Sequence, residues 1–323
     1  MKSIKALFEP SKKPQKGLYV FEWAAMIYLF ATLAITLFCY TDLVNPGEML
    51  TGRIRALIIT LVVWGVYRML PCRMMVILRV AAQSSLLPWW YADTYEINRI
   101  LPNLDHVFAA ADQWMFGFQP SLYFSQACPW TIFSEYMYLG YYSYFYLVLA
   151  TSILYYIYRN DEFVKAVSVI TVAFFLYYIF FDFVPVVGPQ YYYQAIGLDN
   201  VVNGVFPDVG NYFRTHQELF PAPGSEGDFF RSFVESGTVR DGERPTAAFP
   251  SSHIGLSTVV GCMIARLCWQ RRRWWPMYVF IPLFIGLTLA TVYIHAHYVV
   301  DGIFGFLSGL ALYFILWKTI KKQ

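Results

Sequence analysis

The sequence predicts an all-α, polytopic transmembrane helix bundle of about eight spans with both termini cytoplasmic. Three observations predict it. Hydrophobic residues make up 58% of the 323 residues and charged residues only 14%, well below the roughly 25% a soluble domain uses to cover its core. Apolar stretches of about 20 residues, the length that crosses a bilayer, recur along the chain. Lys and Arg, finally, concentrate in alternate connections. A disordered chain, a secreted disulfide scaffold and an ordinary soluble enzyme are excluded. The five cysteines (Cys39, Cys72, Cys128, Cys262, Cys268) are scattered and form no CxxC pair, so they read as inert thiols. No basic run is interleaved with aromatics as in a nucleic-acid groove, and no nucleic-acid partner is expected.

The elements follow in order. Lys2, Lys5, Lys12, Lys13 and Lys16 precede an apolar run over 18–40. That run is too long for a signal peptide and is expected as an uncleaved first span. Further spans are predicted over 54–70, 74–91, 136–158, 163–183, 251–269, 275–293 and 298–317, each a helix because a helix satisfies its own backbone in lipid. The second and third are separated only by Arg68, Pro71 and Arg73. Glu22 and Arg79 fall inside spans and are expected to pair between helices. Trp89, Trp90, Trp269, Trp274, Trp275 and Trp317 lie at span ends, where amphipathic rings favour the interface.

With eight spans, the N-terminus, the Arg68/Arg73 and Arg159/Lys165 links, the Arg266–Arg273 cluster and the C-terminal lysines share one side. Lys and Arg there far outnumber those opposite, which places that side in the cytoplasm. The chain then divides into residues 1–91, an N-terminal segment with three spans, and 92–323, which carries five spans and the chemistry. Two long outer segments are expected, over 92–135 and 184–249. Within the first, Leu104, Val107, Phe108, Ala111, Trp114 and Met115 can share one face, predicting an interfacial helix over 104–117.

Two polar clusters interrupt the apolar last third. One runs from Arg240 through Arg244-Pro245 to Phe249-Pro250-Ser251-Ser252-His253; the other is His295-Ala-His297-Tyr298-Val-Val-Asp301. Each falls at the outer N-terminal end of a helix, where unpaired N–H groups and a partial positive charge bind phosphate. Pro250 suits a first helical position, and Ser251 or Ser252 can cap the helix or donate to an oxyanion. Arg240 and Arg244 offer guanidinium forks to the same anion. His297 and Asp301, four residues apart, share one helical face. A carboxylate on one ring nitrogen would fix the tautomer and leave the other to attack phosphorus, while His253 protonates the departing oxygen. His295 reads as a neighbour that binds or tunes. Asp182, beside Pro185 and Gly188, is a candidate pocket residue. His295 and His297 diverge on a helix, so no metal site and no cofactor are expected.

At these residues the chain resembles the type 2 phosphatidic acid phosphatase superfamily, whose second motif reads P-S-x-H and whose third ends H-x-x-x-D. The segments 112–120 (DQWMFGFQP), 136–146, 183–193 (FVPVVGPQYYY) and 295–301 are similar to its inositol phosphorylceramide synthase branch, and H-Y-x-x-D also resembles sphingomyelin synthases. The similarity extends over about residues 95–317. It implies His297 as nucleophile, Asp301 as its partner and His253 as general acid or base. Two family cations are missing: the first-motif Lys position is Gly237, ahead of Arg244-Pro245, and the Arg six residues before the third-motif His is Thr291. Arg240, Arg99 and Arg214 are candidates to replace them.

The expected activity is therefore an integral-membrane lipid phosphotransferase with its site on the non-cytoplasmic face of a bacterial inner membrane or a eukaryotic endomembrane. It would move a head group from a phospholipid donor to a lipid alcohol acceptor through a phosphohistidine at His297, with a bell-shaped pH dependence. The resemblance implies phosphatidylinositol as donor and ceramide as acceptor. One alternative keeps the residues and makes water the acceptor, giving a lipid phosphate or pyrophosphate phosphatase. Another is a transporter, against which the gathering of ionisable residues at one face argues.

Overall fold

The computed structural model describes residues 5–11, 13–224, 228–234 and 244–323. These fold into α1 (Lys5–Phe8), α2 (Val20–Phe38), α3 (Pro46–Met69), α4 (Arg73–Asn98), α5 (Asp105–Phe116), α6 (Pro120–Ala127), α7 (Thr131–Tyr142), α8 (Tyr144–Tyr158), α9 (Phe163–Phe183), α10 (Pro189–Ile196), α11 (Leu198–Val202), α12 (Ser252–Arg271), α13 (Trp275–Tyr293) and α14 (Val299–Thr319), with no β-strand among the described residues. The all-helical expectation holds. Six helices, α2, α3, α9, α12, α13 and α14, are long and apolar enough to cross a membrane.

The two remaining expected spans take other forms. Residues 74–91 belong to α4, which reaches 26 residues and carries Arg79, Pro88 and Asp93, so charge dilutes its apolar character. Residues 136–158 are divided between α7 and α8 at Ser143, whose hydroxyl donates back to the Gly140 carbonyl at 2.7 Å. A serine hydroxyl bonded into its own preceding turn bends a helix. α3 begins at Pro46, earlier than expected, because proline suits the first helical position. The extension carries Arg53 inside the protein, where it forms a two-pronged ion pair with Asp93 of α4 at 2.7 and 3.1 Å.

α9 and α12 are the most enclosed spans, while α3, α13 and α14 keep a large part of their surface outside the core. Ile58, Val62, Tyr278 and Phe314 all face outward. A continuous outward apolar surface is stable only against lipid or a partner. The expected pair between Glu22 of α2 and Arg79 of α4 is present: Arg79 Nε donates to Oε1 at 2.7 Å, Nη2 donates to Oε2, and the guanidinium lies between the Tyr19 and Tyr67 rings. A buried charge is tolerated only when paired and hydrogen-bonded in this way.

The helices that carry the two histidine motifs, α12 and α14, are pressed together by small residues. A Cβ on Gly305 would lie 2.5 Å from the Ser251 carbonyl oxygen, and one on Gly309 would lie 2.4 Å from the Gly255 carbonyl oxygen. Gly-x-x-x-Gly at 305–309 therefore lets the backbones meet. At the top of the contact the Ser251 N–H donates to the Asp301 carbonyl at 3.1 Å, which sets the two helix starts side by side.

Candidate active site

Ser251 caps α12, its hydroxyl accepting from the Ile254 N–H at 3.4 Å. The helix thus starts at Ser252, and Pro250 stands before the cap, two places ahead of the first helical position. Ser252 and His253 occupy the first turn, where N–H groups have no partner within the helix. His253 packs between two tyrosines released to it by the break at Ser143: Tyr141 stacks at 4.6 Å and Tyr144 lies at 4.4 Å between centroids. Its Nδ1 is buried without a hydrogen-bond partner among the described residues. The His297 ring stands 5.7 Å away, edge to face. The two motifs, more than forty residues apart in sequence, share one site.

His297 is oriented differently from the sequence expectation. Its Nδ1 lies 2.8 Å from the Ala248 carbonyl oxygen and 3.7 Å from Asp301 Oδ2. The shorter contact is the hydrogen bond; the longer is a charge neighbour. A carbonyl can only accept, so Nδ1 holds the proton and Nε2 carries the lone pair of the neutral ring. The carboxylate's own hydrogen bond comes from the Tyr298 N–H at 2.9 Å. Asp301 therefore shapes the turn and lies near the ring, while the backbone of residue 248 fixes the tautomer. Burial holds the His297 pKa down to about 4, against the pull of the Ala248 bond. The ring is neutral at physiological pH.

The start of α14 is closed to a phosphate, contrary to expectation. Asp112 of α5 accepts from the Val299 and Val300 N–H groups at 2.8 and 3.0 Å, so the donors that would have met an anion are already taken. Asp105, seven residues earlier on the same face, is fully buried and accepts four bonds. They come from the Val187 N–H (2.7 Å), the Gly188 N–H (2.8 Å), Asn103 Nδ2 (2.6 Å) and the Tyr298 hydroxyl (3.0 Å). Burial raises both carboxyl pKa values while these donors pull them back. The helix expected over 104–117 is present. Its buried face, however, is Asp105, Ala109 and Asp112, whereas Val107 and Trp114 point outward. Asp at i and i+7 around a small residue was the signal for this face, hidden because acidic residues ordinarily mark the solvated side.

The other expected site residues scatter. His295, with φ of 64°, faces Ser125 (Nε2 to Oγ 3.4 Å) and the Phe220 ring. It makes no ring contact or hydrogen bond with His253 or His297 among the described residues. Burial holds its pKa down to about 4 as well. Asp182 leaves the site: its Oδ2 accepts from the Tyr28 hydroxyl at 2.9 Å, drawing it into the interior beside the Arg53–Asp93 pair. Arg244 is exposed and donates to Gln217 Oε1 at 2.9 Å. Arg99 is bonded to Glu96 and Arg214 to the Asp42 carbonyl. Arg99, Arg214 and Pro245 border a cavity of only about 10 Å³, room for one water. Arg240 and Gly237 lie outside the described residues. Thr291 accepts the His297 N–H on its carbonyl oxygen at 2.9 Å.

Beside the histidines a groove of about 790 Å³ opens between α6, α13 and α14. Ile254 and Val299 line its upper end, Gly302 and Thr288 its middle, Phe284 and Leu307 its lower end. Val299 to Leu307 is eight residues of helix, or about 12 Å. Its walls are almost wholly apolar.

Paired P-S-S-H and H-Y-x-x-D motifs in contact at two adjacent helix starts are joined by a family match: the family model described as PAP2 superfamily aligns with residues 105–315. The chain belongs to the PAP2 superfamily. It is thus an enzyme of the phosphatase and phosphotransferase class, with the matched region beginning at Asp105, the carboxylate that grips the site, and ending within α14. No curated protein matches the chain, and no solved structure does. Within the PAP2 superfamily this chain lacks an arginine at Thr291, and its two motif histidines still meet.

Proposed function

We propose that this PAP2 superfamily protein is an integral-membrane lipid phosphotransferase that works through a phosphohistidine at His297. The observation that carries the reading is the His253–His297 pair, 5.7 Å between rings, with Nδ1 of His297 committed to Ala248. Nε2 of His297 attacks the donor phosphorus. The bond from phosphorus to the diacylglycerol oxygen breaks, and His253 gives its proton to that oxygen. The charge developing on the His297 ring lies 3.7 Å from Asp301, which stabilises it. His253, now neutral, takes the proton of the acceptor hydroxyl as its oxygen attacks phosphorus; the phosphorus–nitrogen bond breaks and His297 is restored. The first-turn N–H groups of Ser252 and His253 meet the phosphoryl oxygens, since those of α14 are occupied by Asp112.

The apolar groove between α6, α13 and α14 supports a lipid as the substrate, because its upper end shares the first turns of α12 and α14 with the histidines. Phosphatidylinositol as donor and ceramide as acceptor rest on the likeness of residues 112–120, 183–193 and 295–301 to inositol phosphorylceramide synthases. Adding α4 and the α7–α8 unit to the six long apolar helices makes eight spans, and the basic ends of that set support a cytoplasmic position for both termini and the opposite face for the histidines.

The test is purified protein in mixed micelles. With phosphatidylinositol and ceramide, diacylglycerol and an inositol phosphosphingolipid are expected in equal amounts, and none with His297→Ala. Release of inorganic phosphate from phosphatidate, with no transfer to any lipid alcohol, would instead assign a phosphatase.

A further inference from the structure

The geometry points to Asp105 as the residue that positions the nucleophilic ring, the part the sequence pattern offers to Asp301. Two routes, each made of hydrogen bonds joined by short stretches of backbone, lead from its carboxylate to His297. The first is short: Oδ1 accepts from the hydroxyl of Tyr298, the residue next to His297, at 3.0 Å. The second crosses three segments. Asp105 Oδ2 and Oδ1 hold the Val187 and Gly188 N–H groups; the Val186 carbonyl beside them accepts from the Ala248 N–H at 3.0 Å; and the Ala248 carbonyl accepts from His297 Nδ1 at 2.8 Å. The segment 186–188 therefore fixes the carbonyl that fixes the ring.

That segment has no helix or sheet to hold it straight; the Leu104 N–H fixes the Pro185 carbonyl ahead of it at 2.9 Å, and Asp105 is the side chain that holds its two N–H groups. Gly188 shows how close the fit is. With φ of 89°, its missing Cβ would lie 2.4 Å from the Ala296 carbonyl oxygen, so residue 188 passes directly under the loop that carries His297. The next link, Gln190 N–H to the His295 carbonyl at 2.8 Å, closes the same strip of chain onto that loop. Asp112 serves as the internal comparison. It is buried on the same helix face and caps α14, yet it has no bond to residues 186–188 or 248 among the described residues. A displacement of about 1 Å is enough to cost an in-line attack about 100-fold.

The inference rests on His297 being the nucleophile, and the experiment separates the two. Turnover of wild type, Asp105→Asn, Asp112→Asn and Tyr298→Phe is measured on one lipid substrate, with kcat and KM determined separately and folding followed by thermal melting in detergent. Asp105→Asn is expected to lose about 100-fold in kcat with KM within about threefold of wild type. Asp112→Asn should lower the melting temperature comparably but keep kcat within about fivefold. If Asp105→Asn does not fold, Tyr298→Phe decides: a fall in kcat of about fivefold or more at unchanged KM supports the inference, and unchanged kcat overturns it. Equal kcat losses in the Asp105 and Asp112 variants, or none in Asp105→Asn, also overturn it. Wild-type turnover that survives His297→Ala would sink the underlying functional reading instead.

Discussion

At the residue scale, the contact that matters most is a backbone carbonyl meeting an imidazole. Because Ala248 holds the proton on Nδ1, removing the Asp301 charge leaves the tautomer in place. Asp301→Asn keeps an acceptor for the Tyr298 N–H and loses only the charge beside the developing imidazolium. A fall in kcat of roughly 10- to 100-fold is expected, against the roughly 10⁴-fold seen where a carboxylate sets the tautomer itself; a 10⁴-fold loss would return that role to Asp301. The pH dependence follows from burial. With the His297 pKa near 4 in place of 6.5, the acid limb of kcat/KM should fall close to pH 4. Between 4 and 6.5 the unfolded chain binds protons that His295 and His297 refuse when folded. Their contribution to stability is therefore complete above about 6.5 and lost as pH falls toward 4. Activity profiles and melting curves over pH 3.5–8 check both; an acid limb near 6.5 would contradict the buried, neutral ring.

What could be read from single residues divides along the same line. His253 and His297 declared themselves because paired imidazoles in an apolar stretch have few structural uses, and Ser251 because a helix start needs a cap. The Ala248 carbonyl could not be read, since every residue has one. Asp105 and Asp112 lie off the apolar face expected over 104–117; their backbone partners are N–H groups 82 to 188 positions away, beyond the reach of any periodicity. Asp182 reads in the sequence as a pocket residue because of Pro185 and Gly188 beside it, and its partner, Tyr28, could not be seen there.

At the element scale, the site depends on how closely α12 and α14 approach. Gly309→Val would set a branched side chain where even a Cβ meets the Gly255 carbonyl oxygen at 2.4 Å and Thr258 Cβ at 2.9 Å. The helices must part by about an ångström, at a cost of about 1–3 kcal/mol. The melting temperature in detergent should fall by several degrees and kcat by about 100-fold as the rings separate; unchanged kcat would show that the contact does not set their spacing. Helix boundaries were legible where lipid dictates them. The expected spans over 163–183 and 275–293 coincide with α9 and α13. They were misread where a local hydrogen bond competes, as at Ser143, or where a proline start reaches past the apolar run, as at Pro46.

At the scale of the whole molecule, the orientation argument yields a direct check. Ser11 and Phe229 are both exposed and fall on opposite sides in the proposed eight-span arrangement. In intact cells a membrane-impermeant maleimide should label Phe229→Cys and reach Ser11→Cys only after permeabilisation; the reverse pattern would invert the proposed orientation. The lateral opening between α6, α13 and α14 has a kinetic consequence. A molecule dissolved in the bilayer can slide into that cleft edgewise and leave the same way, so encounters take place in two dimensions. Adding inert surfactant at a fixed quantity of substrate should then slow the reaction in proportion to the fall in mole fraction, while diluting the whole suspension with buffer should leave the turnover per enzyme unchanged.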